Sequence, residues 1–186
     1  MSMSLAQRHP ETADRILLVG MMGAGKTTVG HALGTLLNWP YFDNDELVDR
    51  AVGKNTRRVQ EEDGVAALRR AESAALDVAL REGAPLVAGV AGGVVLDPLD
   101  RLRLRTAGFT VWLRADISTL ARRVEGTDRP WLGDDPAAAM KRLYAGRAYL
   151  YESVASLVVD VDDTPADLVA ERIVAVISPR GAARAG

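Results

Sequence analysis

The sequence contains no cysteine, and its only histidines are His9 and His31. The lack of cysteine excludes disulfides, thiolate metal sites and cysteine nucleophiles. Two histidines give little basis for a zinc site or for histidine-based acid–base chemistry. An excess of charge is missing as well, because the formal net charge is only −2. A chain without a basic surface gives no reason to expect a nucleic acid or an anionic membrane as its partner.

Long hydrophobic runs are also absent. No stretch approaches the length of a membrane span, and residues 1–13 lack the apolar core of a signal peptide. We therefore expect a cytoplasmic protein without a membrane partner. The 186 residues suffice for one domain with a sizeable core. We predict a disordered leader over residues 1–13, a single domain over residues 14–178 and a loose tail over residues 179–186, in a monomer.

The most informative stretch that is present runs from Gly20 to Thr27 and reads GMMGAGKT. It matches G-x-x-x-x-G-K-[ST], the phosphate-binding loop. A buried strand is predicted before it, at residues 15–19, and an amphipathic helix follows from residue 26. In that context, backbone N–H groups and a helix N-terminus surround one anion. We predict that Lys26 reaches the β- and γ-phosphates of ATP and that the Thr27 hydroxyl binds Mg²⁺.

Apolar segments alternate with amphipathic segments along the rest of the chain. We predict strands over residues 15–19, 39–43, 85–90, 109–114 and 156–161. We predict helices over residues 26–38, 45–53, 65–82, 98–107, 116–125, 136–154 and 164–177, with N-caps at Asp45, Asp116 and Thr164 and with Pro165 at the first helical position. This alternation predicts an α/β fold of three α/β/α layers around a five-stranded parallel sheet. Such a sheet binds its ligands at the carboxyl ends of the strands.

Two carboxylates follow the second predicted strand, at Asp43 and Asp45. At positions i and i+2 they point the same way if the extended conformation persists, so both would face the phosphate loop. One could organise Mg²⁺ through its waters, and the other could accept the proton of an attacking hydroxyl. The alternative is that Asp45 only caps the helix beginning at Glu46, because aspartate is a preferred cap.

Two further features could bind an acceptor. Arg69 and Glu72 stand at i and i+3 of a predicted helix, where Glu72 could orient Arg69 to fork onto a carboxylate. The alternative is a solvated surface pair that contributes little. Gly92 and Gly93 follow the third strand and would let a ligand approach the backbone closely, the alternative being a simple turn.

A polar loop over residues 126–135 lies between two predicted helices and carries Arg129. We predict a mobile lid whose arginine swings onto the transferring phosphoryl group and stabilises its charge in the transition state. Arg122 and Arg123 precede this loop. The alternative is a solvated loop whose arginines contact nothing.

Together these motifs resemble the shikimate kinase family, whose members have a P-loop kinase architecture similar to that of nucleoside monophosphate kinases. The resemblance runs from about residue 16 to about residue 176. Its motifs are GMMGAGKT at 20–27, Asp43 with Asp45, Arg69 with Glu72, Ala91-Gly92-Gly93, Arg129-Pro130 in the lid, and Arg147 with Tyr151.

The resemblance implies a kinase that transfers the γ-phosphoryl group of ATP to a hydroxyl of shikimate, with Mg²⁺ as cofactor. It implies catalysis by Lys26, Asp45 and Arg129. It implies that ATP is bound by Gly23, Ala24, Gly25, Lys26, Thr27, Thr28, Arg122, Arg129 and Pro165. It implies that the acidic acceptor is bound by Asp45, Arg69, Glu72, Gly92, Gly93 and Arg147. Thr27 and Asp43 would hold Mg²⁺, the latter through water.

The chain departs from the family's pattern at Leu68, Ala91 and Trp131, where the family has phenylalanine, glycine and leucine. Ala91 adds a methyl group near the expected acceptor pocket. One alternative is therefore a kinase of another hydroxy acid or cyclitol, such as gluconate. A second is a regulator that binds ATP without turnover, and the complete set of catalytic residues argues against it.

Overall fold

A computed structural model of the chain describes residues 14–125 and 135–177. Within these ranges five strands form one parallel sheet with the order β2-β3-β1-β4-β5. The strands are β1 (Arg15–Val19), β2 (Tyr41–Phe42), β3 (Leu86–Gly89), β4 (Phe109–Arg114) and β5 (Leu157–Asp160). The predicted α/β fold with a five-stranded parallel sheet is confirmed. The predicted leader and tail lie outside the described residues.

Helices fill the connections between these strands. In the described part of the chain they are α1 (Lys26–Leu37), α2 (Asn44–Val52), α3 (Thr56–Arg58), α4 (Gly64–Arg81), α5 (Pro98–Ala107), α6 (Ile117–Val124), α7 (Pro136–Ala145), α8 (Ala148–Val154) and α9 (Ala166–Ile177). A π-helical turn (Val59–Asp63) joins α3 to α4, and a 3₁₀ turn (Val94–Leu96) precedes α5. None of the helices that the structure describes combines the length and apolar character needed to cross a membrane.

Strand β1 lies at the centre of the sheet and of the core. Its residues 16–19 are all fully buried. Because successive side chains of a strand point to opposite faces, this burial requires helices on both faces of the sheet. Ile16 stands in register with Val87 on one side and with Phe109 on the other. The parallel register brings the carboxyl ends of the strands to one edge of the sheet, where the predicted site residues follow them.

The predicted helix over residues 136–154 is two helices. Helix α7 ends at Ala145 and α8 begins at Ala148, because the chain turns at Gly146 and Arg147. In this turn the Arg147 N–H donates to the Tyr144 carbonyl oxygen at 3.0 Å. The break has a functional consequence, since it buries the Arg147 side chain to 7% exposure instead of leaving it on a continuous helix.

Other helix boundaries differ from the prediction by one or two residues. Helix α2 begins at Asn44 and its N-cap is Asp43 rather than Asp45, because the Asp43 carboxylate accepts a hydrogen bond from the Asp45 N–H at 3.0 Å. Asp116 occupies the N-cap position of α6, as predicted. Helix α9 begins at Ala166, after Pro165 rather than with it.

Tyr41 packs against glycines of two elements. A Cβ atom on Gly30 of α1 would overlap the Tyr41 ring, and one on Gly89 of β3 would lie 2.7 Å from the Tyr41 hydroxyl oxygen. The missing side chains at these positions let the ring lie close to both the helix and the sheet. This packing fixes the position of the Tyr41 hydroxyl, which donates a hydrogen bond to Asp43.

Replacing Gly30 with alanine should therefore destabilise the protein, although alanine normally favours a helix interior over glycine by about 1 kcal/mol. We expect a net loss of about 1–3 kcal/mol in the free energy of unfolding, because the new methyl group would displace a packed ring. Chemical denaturation followed by circular dichroism measures this loss. Gly83→Ala is the control, because nothing lies within 4 Å of its Cβ position. Equal stability of the two variants would contradict the packing.

Candidate functional site

A cleft of about 690 Å³ opens at the carboxyl ends of the strands, where the sequence predicts ligand binding. Most of the predicted site residues line it, namely Gly23, Ala24, Gly25, Lys26, Thr27, Thr28, Asp43, Asp45, Arg69, Glu72, Gly92, Gly93 and Arg147. The phosphate loop and the predicted acceptor-binding residues therefore share one cavity.

The phosphate loop connects the end of β1 to the start of α1. Gly23 and Gly25 adopt left-handed φ angles of 78° and 88°, which glycine tolerates without strain. A Cβ atom on Gly20 would lie 2.6 Å from the Leu113 carbonyl oxygen, so close packing on β4 also requires glycine there. Lys26 Nζ donates to the Gly20 carbonyl oxygen at 3.0 Å, which holds the ammonium group across the loop. This ammonium group and the positive N-terminus of α1 form an anion site.

Thr27 and Asp43 meet at the mouth of this loop. Thr27 Oγ1 donates to Asp43 Oδ2 at 2.8 Å, and the Tyr41 hydroxyl donates to the same oxygen at 3.0 Å. Burial disfavours the Asp43 anion, but hydrogen bonds from the Asp45 N–H, Thr27 and Tyr41, together with the charge of Lys26, outweigh burial and lower the Asp43 pKa. The carboxylate is therefore ionised at neutral pH and offers oxygen ligands beside a hydroxyl.

The extended conformation ends at Asp43, so the condition under which the two carboxylates are predicted to point the same way is not met. Because α2 begins at Asn44, Asp45 lies in the first helical turn, where its exposed carboxylate accepts a hydrogen bond from Thr56 Oγ1. Asp43 has the capping role, so the alternative in which Asp45 is only a cap is wrong. Both carboxylates nevertheless line the cleft.

Arg69 and Glu72 form the predicted ion pair, with Arg69 Nη1 on Glu72 Oε2. The pair is not a solvated surface contact, because Glu72 is only 6% exposed. A Cβ atom on Gly93 would overlap both charged groups, so glycine leaves the room that the pair occupies. Burial raises the pKa of Glu72 and outweighs the opposing effects of Arg69, Arg147 and Lys26. Three cations thus act electrostatically on one buried acidic group, and Arg69 is in direct contact with it.

Arg147 lies beside Gly92 in the wall of the cleft. Its Nη1 donates to the Gly92 carbonyl oxygen at 3.5 Å, and the Tyr151 hydroxyl donates to the same oxygen at 2.6 Å. Tyr151 stacks on Trp112 with the ring centroids 5.8 Å apart. Burial raises the pKa of Tyr151 to about 12, so its hydroxyl remains a donor at neutral pH. The aromatic pair therefore fixes the backbone against which Arg147 rests.

Arg122, which is predicted to contact adenine, is not among the residues that line the cleft. Arg122 is exposed on α6, whereas Arg123 lines the cleft, because neighbouring helical side chains point about 100° apart. Arg123 donates to the carbonyl oxygens of Gly23 at 3.3 Å, Val161 at 2.8 Å and Asp162 at 2.6 Å. It thereby ties the phosphate loop to the chain that follows β5.

Two other predicted ATP contacts remain. Pro165 does not line the cleft, but its neighbours Thr164 and Ala166 do, so the turn that carries Pro165 borders the cleft. Arg129, with most of the predicted lid, lies outside the described residues.

Thr56 and Gln60 also line the cleft, although none of the predicted motifs includes them. The sequence does carry a signal for a helix here, because Asn55 is a residue type that often caps helix N-termini. In the structure its Oδ1 accepts a hydrogen bond from the Arg58 N–H at 2.9 Å. Arg–Glu pairs at i and i+4 follow, which is typical of a helix surface. A helix that starts at Thr56 places Thr56 and Gln60 on one face.

The cleft as a whole joins an anion-binding loop to the ionised Asp43 carboxylate, to the side chain of Asp45 and to three arginines, Arg69, Arg123 and Arg147. Such a set can hold a nucleoside triphosphate and an acidic molecule side by side, with a carboxylate between them. The arrangement suits transfer of a phosphoryl group to a hydroxyl of the acidic molecule.

Comparison with known proteins agrees with this chemistry. The sequence model of the family described as shikimate kinase matches residues 22–178. The chain is 36% identical over 167 residues to a shikimate kinase of Ruegeria pomeroyi, covering 89% of this chain and 85% of that protein. It is 38% identical over 169 residues to one of Halorhodospira halophila, with coverage of 89% and 94%. Among solved structures, shikimate kinase from Acinetobacter baumannii in complex with shikimate has a TM-score of 0.84 and 29% identity, with coverage of 92% and 96%.

The raised pKa of Glu72 makes stability depend on pH. The folded protein binds this proton more tightly than the unfolded chain does, so stability should fall as the pH rises through the folded-state pKa. Glu72→Gln removes this titration. We expect the melting temperature of the wild type, relative to that of the variant, to rise as the pH is lowered from neutrality towards 4.5, the ordinary pKa of glutamate. A difference that is constant, or that shrinks in acid, would contradict the raised pKa.

Proposed function

The chain belongs to the shikimate kinase family, and from this premise we propose that its cleft transfers the γ-phosphoryl group of ATP to a hydroxyl of shikimate, releasing ADP and shikimate 3-phosphate. The observation that carries the proposal is the position of buried Arg147 beside the Arg69–Glu72 pair, in the same cavity as the phosphate loop. One cation would be balanced by Glu72, so positive charge is left for the carboxylate of an acidic acceptor.

At the nucleotide end, Lys26 contacts the β- and γ-phosphates, and the backbone of residues 23–28 surrounds them. Thr27 and Asp43 fit a magnesium ion, since a hydroxyl oxygen and an ionised carboxylate oxygen lie 2.8 Å apart at the mouth of the loop. When bound, Mg²⁺ supplies positive charge to the phosphate oxygens. Arg123 takes the place of Arg122 beside the adenine end, and Arg129 from the lid adds charge at the γ-phosphoryl group.

At the acceptor end, Arg69 and Arg147 bind the carboxylate, and Glu72 orients Arg69. Gly92 and Gly93 leave space for the ring close to the backbone. Asp45 accepts a hydrogen bond from the attacking hydroxyl and takes its proton as the oxygen bonds to the γ-phosphorus and the bond to ADP breaks. Catalysis is then mostly positioning and neutralisation of charge.

The other expectations for this protein stay predictions. They are that it is a cytoplasmic monomer with no nucleic-acid or membrane partner, and that residues 14–178 form its only domain.

The test of the proposed function is ADP release from MgATP with a panel of acceptors: shikimate, quinate, gluconate, a cyclitol and buffer alone. Saturable turnover with shikimate only supports the proposal. Turnover that favours another acceptor would overturn shikimate as the substrate and would direct attention to Ala91, which lines the cleft as a buried residue. No turnover with any acceptor, despite ATP binding, would favour a regulator.

Arg147→Ala should raise the KM for shikimate by at least about 30-fold, because removing a buried charged partner typically costs about 2–5 kcal/mol. The KM for ATP should change little. Arg142→Ala is the matched control, since Arg142 is an exposed arginine of α7 that does not line the cleft. Steady-state kinetics with a thermal melt of each variant separate a binding defect from unfolding. Unchanged acceptor kinetics would remove Arg147 from the site.

Asp45→Asn should lower kcat by at least about 100-fold while leaving ATP affinity intact, because general-base catalysis typically contributes that much. Asp49→Asn is the control, since it removes one exposed carboxylate one turn further along α2. Single-turnover kinetics and ATP titration measure the two quantities. A variant with nearly wild-type kcat would show that Asp45 does not accept the proton, since the amide oxygen of asparagine can still hold the hydroxyl but cannot act as the base.

A further inference from the structure

We propose that Thr56 is a positioning residue of the phosphoryl transfer, whose hydroxyl orients the Asp45 carboxylate towards the acceptor. The inference rests on the proposed function, in which Asp45 holds the attacking hydroxyl. It starts from a hydrogen bond that links two separate helices, since Asp45 belongs to α2 and Thr56 begins α3.

The contacts of the Asp45 carboxylate are one-sided. Thr56 Oγ1 donates to Oδ1, and Asn44 Nδ2 reaches the same oxygen at 3.4 Å. A carboxylate held through one oxygen can present its other oxygen to a substrate hydroxyl. Asp45 is otherwise exposed, so without such a partner its side chain would sample several rotamers. A partner that restricts these rotamers keeps the reactive oxygen in place, which is what a base in line with the γ-phosphoryl group requires.

Thr56 is suited to this task because other contacts hold its segment, residues 54–63, in place. Val59 anchors the segment in the core at 3% exposure. Lys54 forms ion pairs with Glu62 at 3.0 Å and with Asp63 at 2.7 Å, which join the two ends of the segment. Asn55 caps the turn that begins at Thr56. The hydroxyl donor is therefore held by contacts that are independent of Asp45.

Thr56 also stands in the cleft itself, together with Gln60. The threonine hydroxyl can serve as donor to Asp45 while its methyl group occupies the adjacent space. These two functions are separable, because serine keeps the hydroxyl and valine keeps the shape. The pair of substitutions therefore tests orientation against packing.

The experiment compares Thr56→Val and Thr56→Ser in shikimate-dependent turnover. We expect Thr56→Val to lower kcat about tenfold with the KM for ATP within about twofold, because a hydrogen bond to a charged group is lost. Thr56→Ser should retain at least about half of the wild-type kcat. In an Asp45→Ala background, Thr56→Val should have little further effect on kcat, since the group that it positions is gone.

Thermal melts of the wild type, Thr56→Val, Asp45→Ala and the double variant measure the energetic coupling of Thr56 and Asp45 without turnover. Thr56→Val should lower the melting temperature by about 2–4 °C in the wild type and by less in Asp45→Ala. Wild-type kcat in Thr56→Val, or an equal loss in Thr56→Ser, would overturn the inference while the proposed function stands. If the wild type does not phosphorylate shikimate, the proposed function fails, and the thermal cycle alone decides whether Thr56 holds Asp45. Additive melting shifts would then overturn that contact.

Discussion

The burial of one acidic side chain among three cations governs the electrostatics of the cleft. Glu72 is removed from solvent at the base of the cavity, and Arg69, Arg147 and Lys26 all act on it. Lys26 also acts on the ionised Asp43, which leaves Glu72 as one carboxylate for the two arginines Arg69 and Arg147. These two arginines therefore exceed their carboxylate by one positive charge. Anions at both ends, a polyphosphate and an acidic acceptor, would remove that excess. A neutral acceptor would leave a buried arginine uncompensated, which makes charge the first basis of selectivity.

Close packing against the backbone is a second constraint on the cleft, because some of its side chains fit only where a neighbouring residue is glycine. Gly93 leaves room for the Arg69–Glu72 pair, and Gly30 leaves room for the Tyr41 ring. The glycines of this protein are therefore tied to particular charged or phenolic groups as much as to turns. A methyl group at either position would move a functional side chain while leaving the element that carries it intact.

The sequence was sufficient to predict the fold and the cleft residues that come from long, regular elements. The five strands, the phosphate loop and the Arg69–Glu72 pair all follow from periodicity and spacing.

Prediction failed where tertiary contacts override a local pattern. In the periodic stretch of residues 136–154 the local sign of the break is Gly146, and a single glycine does not reveal that the chain turns there to bury Arg147, because helices also tolerate an isolated glycine. Arg122 and Arg123 are chemically identical, and only the rotation of α6 against the phosphate loop distinguishes them. Thr56 follows an N-cap signal, but a helix of three residues lies below what periodicity can detect.

The two aspartates show how one short segment can serve both halves of the cleft. Asp43 receives the Thr27 hydroxyl through Oδ2 and the Asp45 N–H through Oδ1. The Asp43 carboxylate thus fixes the backbone of Asp45, whose own side chain accepts from Thr56. A hydrogen-bonded path therefore runs from the phosphate loop to Thr56 through the first turn of α2. Capping by Asp43 rather than Asp45 is what makes this division possible, because Oδ1 of Asp43 is held by the start of α2, whereas the Asp45 carboxylate has no capping role and is available for the proposed acceptor.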